Sequence, residues 1–323
     1  MSFVVPVKIA IVGAGKVGST FAYSVLLRGL ASEIVLIDKD MSRAEGEAMD
    51  LQHTMPFSHQ AEIRASNLLD TAGAAITVIC AGQRLQPGLS PSDLLDNNAA
   101  VIKEIIPQIA EVNPDGIILV ATTPVDVLTY GAWKLSGLAR RQVIGTGTIL
   151  ETARFRYLLG QHFGIEPRSV HAYIVGENGE SELPVWSSAN VAGMPITEMC
   201  KAHGCDPSAL DDIFKQTKEA GAAILARKGS PDHAIASALV EMAQSILQNE
   251  KKIFSVSTVL LREYGMQEVA LSVPTVLSRE GVERILHVEL NDQEVANLLY
   301  SGRKIENEIH HANFVVRGVM QAS

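Results

Sequence analysis

Cysteine is scarce in this chain, which has only three among 323 residues: Cys80, Cys200 and Cys205. Three cysteines cannot form a disulfide framework, and the C-x4-C spacing of the last two is a poor metal signal. We therefore expect reduced, structural thiols. No group of cysteine, histidine and carboxylate residues has the spacing of metal ligands, so the sequence predicts no metal site.

Long apolar runs and concentrations of positive charge are also missing. The longest apolar stretches, such as 116–122, are far too short to cross a bilayer. The N-terminal residues show no charged region, apolar region and cleavage site of an export signal. Lysine and arginine are dispersed, and the formal net charge is −9. These absences argue against membrane and nucleic-acid partners and favour a cytoplasmic protein.

The pattern of apolar segments predicts two unlike halves. In the first half, apolar runs typical of buried strands alternate with helical patterns, which indicates βαβ units around a parallel sheet. We expect strands at 7–12, 33–37, 76–80, 117–121 and 143–144, helices at 19–30 and 97–111, and a polar loop at 81–92. Right-handed crossovers then give a doubly wound α/β (Rossmann) domain.

The second half reads as a mixed α+β lobe. Its expected helices are 150–163, 206–227, 233–248 and 292–308, and its expected strands are 170–175, 255–259, 269–276 and 281–288. We place the boundary near 145–148, which gives domains at 1–147 and 148–323.

A glycine-rich turn follows the first strand and opens the first helix. Its G-x-G-x-x-G pattern places glycines where a tight turn and a close approach to a pyrophosphate require them. Asp38 lies twenty residues beyond Gly18, where a carboxylate can bind ribose hydroxyls and repel a 2′-phosphate. The candidate cofactor residues are Gly13, Gly15, Lys16, Val17, Gly18 and Asp38. These residues favour NAD over NADP as the cofactor. The adjacent Lys39 leaves NADP as an alternative. A second alternative is that the glycine-rich turn has only a structural role, in packing the helix on the strand.

Five segments resemble the NAD-dependent L-lactate/malate dehydrogenase family, and its lactate branch most closely. They are 13–22, 50–57, 121–130, 143–160 and 170–193. The resemblance implies a dinucleotide-binding domain at 1–147, a substrate domain at 148–323, and a homodimer or homotetramer that acts on a small carboxylate.

The family's catalytic positions are altered here. The resemblance implies a histidine acid in a G-E-H-G-D segment, where this chain has Asn178. Asparagine donates a hydrogen bond but has no accessible pKa, so it cannot act as a general acid. The partner aspartate of the L-D-x-A-R segment is Glu151, which can fill space left by the imidazole. Arg154 matches the arginine that grips the substrate carboxylate.

The polar loop 81–92 and position 123 also depart from the family pattern. Aligned on Pro87-Gly88, Leu85 takes the specificity position and Pro91 takes the position of a carbonyl-polarising arginine. A shift of register would instead bring Arg84 inward. Thr123 replaces the family asparagine before Pro-Val-Asp, and it is assigned here to both catalysis and the cofactor.

Four other positions are candidates for a functional role. His233, beside Asp232, is either a displaced acid/base or a surface residue in a helix's first turn, while Ile235 matches a substrate-facing position. Arg156 and His171 match positions that bind a sugar bisphosphate in some bacterial relatives, or they make ordinary interface contacts.

Three functions follow, in order of preference. The first is an NAD-dependent dehydrogenase or reductase with altered chemistry on a 2-oxo or imino acid, since an iminium already carries its proton. The second is an inactive NAD-binding pseudoenzyme. The third is a residual 2-hydroxy-acid dehydrogenase that uses His233 with Asp232, or Glu151.

Overall fold

The structure is a computed structural model, and it describes residues 7–84 and 88–314. In the first half the elements are β1 (Lys8–Val12), α1 (Lys16–Arg28), β2 (Glu33–Ile37), α2 (Met41–Thr54), β3 (Glu62–Ser66), β4 (Ile76–Ile79), α3 (Pro91–Val112), β5 (Ile117–Val120), α4 (Val125–Ser136) and β6 (Val143–Gly145). In the second half they are α5 (Ile149–Phe163), β7 (Val170–His171), β8 (Ile174–Val175), β9 (Leu183–Pro184), β10 (Asn190–Val191), β11 (Met194–Pro195), α6 (Ile196–Ala202), α7 (Ser208–Lys228), α8 (Asp232–Leu247), β12 (Lys252–Leu260), β13 (Val269–Ser278), β14 (Gly281–Ile285) and α9 (Asp292–Ala312).

The predicted doubly wound parallel sheet is confirmed. Its parallel strands lie in the order β6-β5-β4-β1-β2-β3. Ile9 of β1 pairs with Ile34 of β2 on one side and with Ile76 of β4 on the other. The chain winds outward in both directions from β1, so the carboxyl ends of β1 and β4 flank a crevice of the kind that binds ligands in this architecture.

The second half extends the same sheet. Strand β12 pairs antiparallel with β6 through Ser257 and Gly145, and β13 and β14 follow β12 outward. A Cβ on Gly145 would lie 2.9 Å from the Ser257 Cβ, so glycine permits this close approach. The mixed α+β half is therefore joined to the dinucleotide domain through its backbone as well as through side-chain packing.

Helices cover both faces of the sheet. On one face Phe21 of α1 and Leu239 of α8 lie in the same core as Ile11. On the other face Ile102 of α3 and Leu128 of α4 lie in the core that contains Val12. This two-sided burial explains why the central strands read as continuous apolar runs.

Several predicted elements need correction. The expected loop 81–92 ends two residues early, because Ser90 and Asp93 form a capping box that starts α3 at Pro91. The expected strand 170–175 is two short strands that pair with different partners, and the strand expected at 281–288 ends at Ile285. Helices α2, α4 and α6 and strands β3, β9, β10 and β11 were not predicted from the sequence.

The expectation that all cysteines are reduced is wrong for two of them. The structure pairs Cys200 with Cys205, because the turn after α6 brings their Cα atoms to 5.0 Å, within the usual range for a disulfide. Cys80 is free, and burial raises the pKa of its thiol to about 12.

Within the described ranges, none of the helices has both the length and the apolar character needed to span a membrane. The same residues contain no cluster of three or more histidine, cysteine or carboxylate side chains that could hold a metal ion.

Candidate dinucleotide and substrate site

The glycine turn lies at the switch point of the sheet and is shaped by backbone contacts. Gly13 has φ 105°, and a Cβ there would lie 2.7 Å from the Ala81 Cα. A Cβ on Gly18 would collide with the Gly13 carbonyl oxygen, whereas nothing lies within 4 Å of one built on Gly15. Two glycines therefore allow close packing, and the third leaves open space above the turn.

That open space adjoins the N-terminus of α1. Gly15 is the N-cap, and among the described residues no side chain caps the helix there. The first backbone N–H groups, at Lys16 and Val17, are therefore suited to bind a pyrophosphate. The predicted turn residues fit a dinucleotide by this arrangement.

Asp38 is held against the turn at the end of β2. Its Oδ2 accepts a hydrogen bond from the Ala14 N–H at 2.8 Å, and its Oδ1 accepts one from the Asp40 N–H at 2.9 Å. The carboxylate thus has a fixed position beside the turn, where a ribose would lie.

Helix α5 carries the two charged groups of the predicted substrate side. Arg154 Nη1 lies 3.1 Å from Glu151 Oε1, and the arginine side chain is 14% exposed. Helix α7 passes beside the guanidinium, and a Cβ on Gly221 would lie 3.5 Å from Nη1. The guanidinium therefore lies between α5 and α7, and even a Cβ at position 221 would make only an ordinary van der Waals contact with it.

Asn178 occupies the turn between β8 and β9 and completes this group. Its Nδ2 donates to Glu151 Oε2 at 2.9 Å and to the Gly147 carbonyl at 3.1 Å. Its backbone N–H donates to Asp126 Oδ2 at 2.6 Å. The structure thus brings Arg154, Glu151 and Asn178 into one hydrogen-bonded chain, which we call the Arg154–Glu151–Asn178 chain.

Burial raises the pKa values of two carboxyl groups, one in the Arg154–Glu151–Asn178 chain and one that contacts it. It raises the pKa of Glu151, and the positive charge of Arg154 opposes that shift. Burial also raises the pKa of Asp126 to about 7, despite hydrogen bonds from the Asn178 N–H and the Ser272 hydroxyl. Asp126 positions the Asn178 backbone and lies behind the chain.

Glu182 was not predicted as a site residue. It is 7% exposed, and in the described part of the protein its Oε1 has no hydrogen-bond partner. Burial, followed by the charge of Glu151, raises its pKa to about 8, while Lys218 and Arg154 oppose the shift. The signal in the sequence that could have identified Glu182 is its place as the third acidic residue in 177–182, immediately before the apolar strand β9.

Thr123 lies at the carboxyl end of β5, on the edge of the sheet that also carries the glycine turn. Asn98 of α3 donates to the Thr123 carbonyl at 2.7 Å and to the Gln83 carbonyl at 2.9 Å. Asn98 Oδ1 also accepts from the Gln83 N–H at 2.6 Å. This asparagine therefore fixes the start of the loop relative to Thr123.

The loop residues are only partly described. Leu85, the predicted specificity residue, lies outside the described residues. Arg84 is exposed, and its Nη1 donates to the Gly229 carbonyl at 3.2 Å, where α7 ends. The structure thus brings Arg84 to the α7–α8 junction and, among the contacts described, not to the Arg154–Glu151–Asn178 chain.

The remaining predicted residues lie apart from that chain. The His233 side chain is 81% exposed, with Nδ1 3.5 Å from Asp232 Oδ2, and Lys228 pairs with the same aspartate at 2.8 Å. Ile235 is half-buried one turn along α8. An acid/base role for His233 and substrate contact by Ile235 stay predictions.

The two residues considered for binding an anionic effector, Arg156 and His171, have different surroundings. Arg156 Nε donates to the Ala172 carbonyl at 2.8 Å, and its guanidinium lies 4.8 Å from the centre of the Tyr173 ring. His171 is exposed. Effector binding by this pair also stays a prediction.

Two sequence families match the chain, one in each half. Residues 7–145 match the lactate/malate dehydrogenase NAD-binding domain. Residues 148–315 match the lactate/malate dehydrogenase alpha/beta C-terminal domain.

Individual proteins are similar over nearly the whole length. The L-lactate dehydrogenase of Acetivibrio thermocellus is 45% identical over 304 residues, which cover 94% of this chain and 96% of that protein. The probable L-lactate dehydrogenase of Schizosaccharomyces pombe is 44% identical over 306 residues, 94% of this chain and 92% of that one. The crystal structure of the minor L-lactate dehydrogenase of Enterococcus mundtii superposes with a TM-score of 0.92 at 34% identity, covering 95% of this chain and 99% of that chain.

Proposed function

This chain belongs to the lactate/malate dehydrogenase family, with NAD as its cofactor, and on that premise we propose that it reduces or oxidises a small carboxylate-bearing substrate by altered chemistry. The substrate is a 2-oxo acid or an imino acid, and reduction of a C=N bond is the version we favour. The Arg154–Glu151–Asn178 chain is the observation that carries this proposal.

Arg154 supports the carboxylate part of the proposal. Its side chain is 14% exposed, and it projects from α5 toward Gly221 of α7. A planar guanidinium binds a carboxylate through two parallel hydrogen bonds, which also orients the ligand. We assign Arg154 to the substrate carboxylate and Asp38 with the glycine turn to the cofactor.

Asn178 supports the altered chemistry. Bound NADH would supply a hydride to the carbonyl carbon, and the carbonyl oxygen would then have to gain a proton. Asn178 cannot give one, and its two amide protons already bind Glu151 and Gly147. An iminium carries its own proton, so its nitrogen becomes a neutral amine without a general acid. The side chains present therefore suit C=N reduction better than C=O reduction.

Specific observations favour two alternatives. Arg154 is already bonded to Glu151, as it would be in a pseudoenzyme that binds NAD without turning over a substrate. The relatives named L-lactate dehydrogenase favour a residual 2-hydroxy-acid dehydrogenase. Turnover of an imine distinguishes our proposal from both.

We further propose that the protein works in the cytoplasm as a homodimer or homotetramer. Large apolar side chains are exposed around α1 and α2, including Leu27, Met49 and Phe57, the last of which is 89% exposed. Several large exposed apolar side chains in one part of the chain favour a protein interface there.

The test follows NADH absorbance with three kinds of substrate: 2-oxo acids alone, 2-oxo acids with amines, and preformed cyclic imino acids. We expect turnover with the C=N substrates. Pyruvate alone should be slower by about 10²–10⁴-fold than in an enzyme with a positioned acid. Pyruvate reduction above roughly 10 per second would overturn the altered chemistry. NADH binding without turnover of any substrate would favour the pseudoenzyme.

A matched variant sharpens this test. Asn178→His combined with Glu151→Asp restores the imidazole and the shorter acid of the family pattern. We expect the double variant to gain pyruvate reduction relative to the unmodified protein, because it regains a general acid. An unchanged ratio of pyruvate to imine turnover would count against the roles assigned to both residues.

A further inference from the structure

Helix α6 ends in a Schellman motif, and two cysteines occupy the positions of that motif whose side chains commonly meet. The Cys205 N–H donates to the Cys200 carbonyl at 3.0 Å, and the Gly204 N–H donates to the Lys201 carbonyl at 3.1 Å. Gly204 has φ 66°, the left-handed conformation that the motif requires. These backbone bonds by themselves account for the turn that brings the Cα atoms of the two cysteines to 5.0 Å.

The same turn accommodates the reduced form of the pair. Cys200 Sγ lies 3.4 Å from the Cys205 carbonyl oxygen and 3.7 Å from the Asp206 carbonyl oxygen. A thiol left at position 200 by reduction therefore has acceptors for its S–H group. The disulfide joins residues only five positions apart, and so short a loop restricts the unfolded chain less than a long one does. We therefore expect the bond to form and break with the backbone in place.

The two cysteines differ in their exposure. Cys200 is 1% exposed and lies in a core with Phe155 and Phe163 of α5. Cys205 is half-buried, and the residues on either side of it, 201–204 and 206–208, are all exposed. A reagent in solution therefore reaches Cys205 more readily than Cys200.

We propose that Cys200 and Cys205 form a reversible thiol–disulfide site that exchanges with small thiols of the glutathione class. A glutathione thiolate attacks the Cys205 sulfur and forms a mixed disulfide there, and Cys200 leaves as a thiolate that takes up a proton. A second glutathione thiolate attacks the sulfur of the bound glutathione, which releases glutathione disulfide and the Cys205 thiolate. The protein disulfide gains two electrons and two protons, and two glutathione molecules are oxidised. Oxidation of the protein by glutathione disulfide reverses these steps.

This redox site shares no residue with the dinucleotide turn or with the Arg154–Glu151–Asn178 chain, so it does not depend on the proposed function. It agrees with the proposed location in the cytoplasm. Disulfides that form in that compartment are usually transient and take part in catalysis or redox sensing. A pair that is aligned by its backbone and joined to a half-exposed sulfur has the properties that such exchange requires.

The experiment equilibrates the folded protein, without denaturant, in a series of buffers that differ in the ratio of reduced glutathione to glutathione disulfide. The exchange is stopped with acid, free thiols are alkylated in denaturant, and each cysteine is identified by peptide mass spectrometry. Cys80 is the internal control, because burial raises the pKa of its thiol to about 12 and it should stay reduced throughout. Circular dichroism of the same samples before quenching reports whether the chain stays folded.

We expect Cys200 and Cys205 to change together in one reversible transition within the series, with no change in circular dichroism. If the pair stays oxidised in excess reduced glutathione until denaturant is added, it is a structural disulfide and the proposal is wrong. If both cysteines stay reduced in excess glutathione disulfide, they are ordinary thiols and the proposal is also wrong. A transition that occurs only with loss of secondary structure would overturn it as well.

Two serine variants test the order of attack. In Cys200→Ser, we expect glutathione disulfide to leave one glutathione on Cys205, since no second thiol is present to displace it. In Cys205→Ser, the buried Cys200 should react at least about tenfold more slowly. Equal reaction at the two positions would refute Cys205 as the attacked sulfur. The glutathione series on the unmodified protein decides the proposal even if a variant fails to fold.

Discussion

Replacement of Arg154 by lysine is the most direct test of the substrate site. Lysine keeps the positive charge but loses the planar pair of donors that a carboxylate binds at two points. The guanidinium is mostly buried, so water cannot readily replace a lost contact. A hydrogen bond to a charged group contributes about 1.5–3 kcal/mol, and losing one should weaken a carboxylate ligand by roughly 10- to 150-fold.

The assay measures (S)-tetrahydrofuran-2-carboxylate binding to the NADH complex, together with NADH binding alone. NADH affinity should barely change, because Asp38 and the glycine turn lie at the β1–β2 edge and bind through other groups. Arg156→Lys is the matched control. It alters the same residue type on the same helix, but Arg156 binds the Ala172 carbonyl and not Glu151.

One result would refute the reasoning. If Arg154 only neutralises Glu151, the substitution lowers the melting temperature and leaves every ligand titration unchanged. The carboxylate assignment would then have to be abandoned, and the pseudoenzyme would become the preferred function.

Three further predictions follow from other parts of the molecule. NADH should bind more tightly than NADPH, because Asp38 is fixed where a 2′-phosphate would lie; equal affinities in a fluorescence titration would contradict this. Light scattering should give a mass at least twice 34.7 kDa at micromolar concentration, since exposed Met49 and Phe57 need a cover; a monomer would be the contrary result. Glu182→Gln should be more stable than the unmodified protein at pH 8, and this gain should vanish near pH 4. The sign follows because a raised pKa makes the folded state lose stability as pH rises from the ordinary value of 4.5 to about 8, by a total on the order of 5 kcal/mol. Denaturant unfolding that shows the same difference at both pH values would disprove it.

The dinucleotide half could be predicted from sequence because its signals are local. A strand, a glycine turn and a helix follow one another within 8–28, and Asp38 ends the next strand, so neighbouring residues specify the site. Helix α4 was missed because residues 125–132 are all buried, which removes the polar face that identifies a helix. Strand β3 was missed because it is a short edge strand with charged residues.

The sequence by itself determined the family, the cofactor turn and the presence of Arg154 beside Glu151. Only the tertiary structure decided that β12 joins the parallel sheet, that Cys200 reaches Cys205, and that Glu182 is buried with no partner for Oε1 among the described residues. The physical reason is that the pKa and the hydrogen bonding of a carboxyl group depend on its burial and its neighbours, which the sequence alone does not specify. Glu180 and Glu182 are the same residue type two positions apart, yet one side chain lies in water and the other in the protein interior. That difference depends on how the β8–β9 turn packs against the rest of the protein, which the residue types of the turn do not specify.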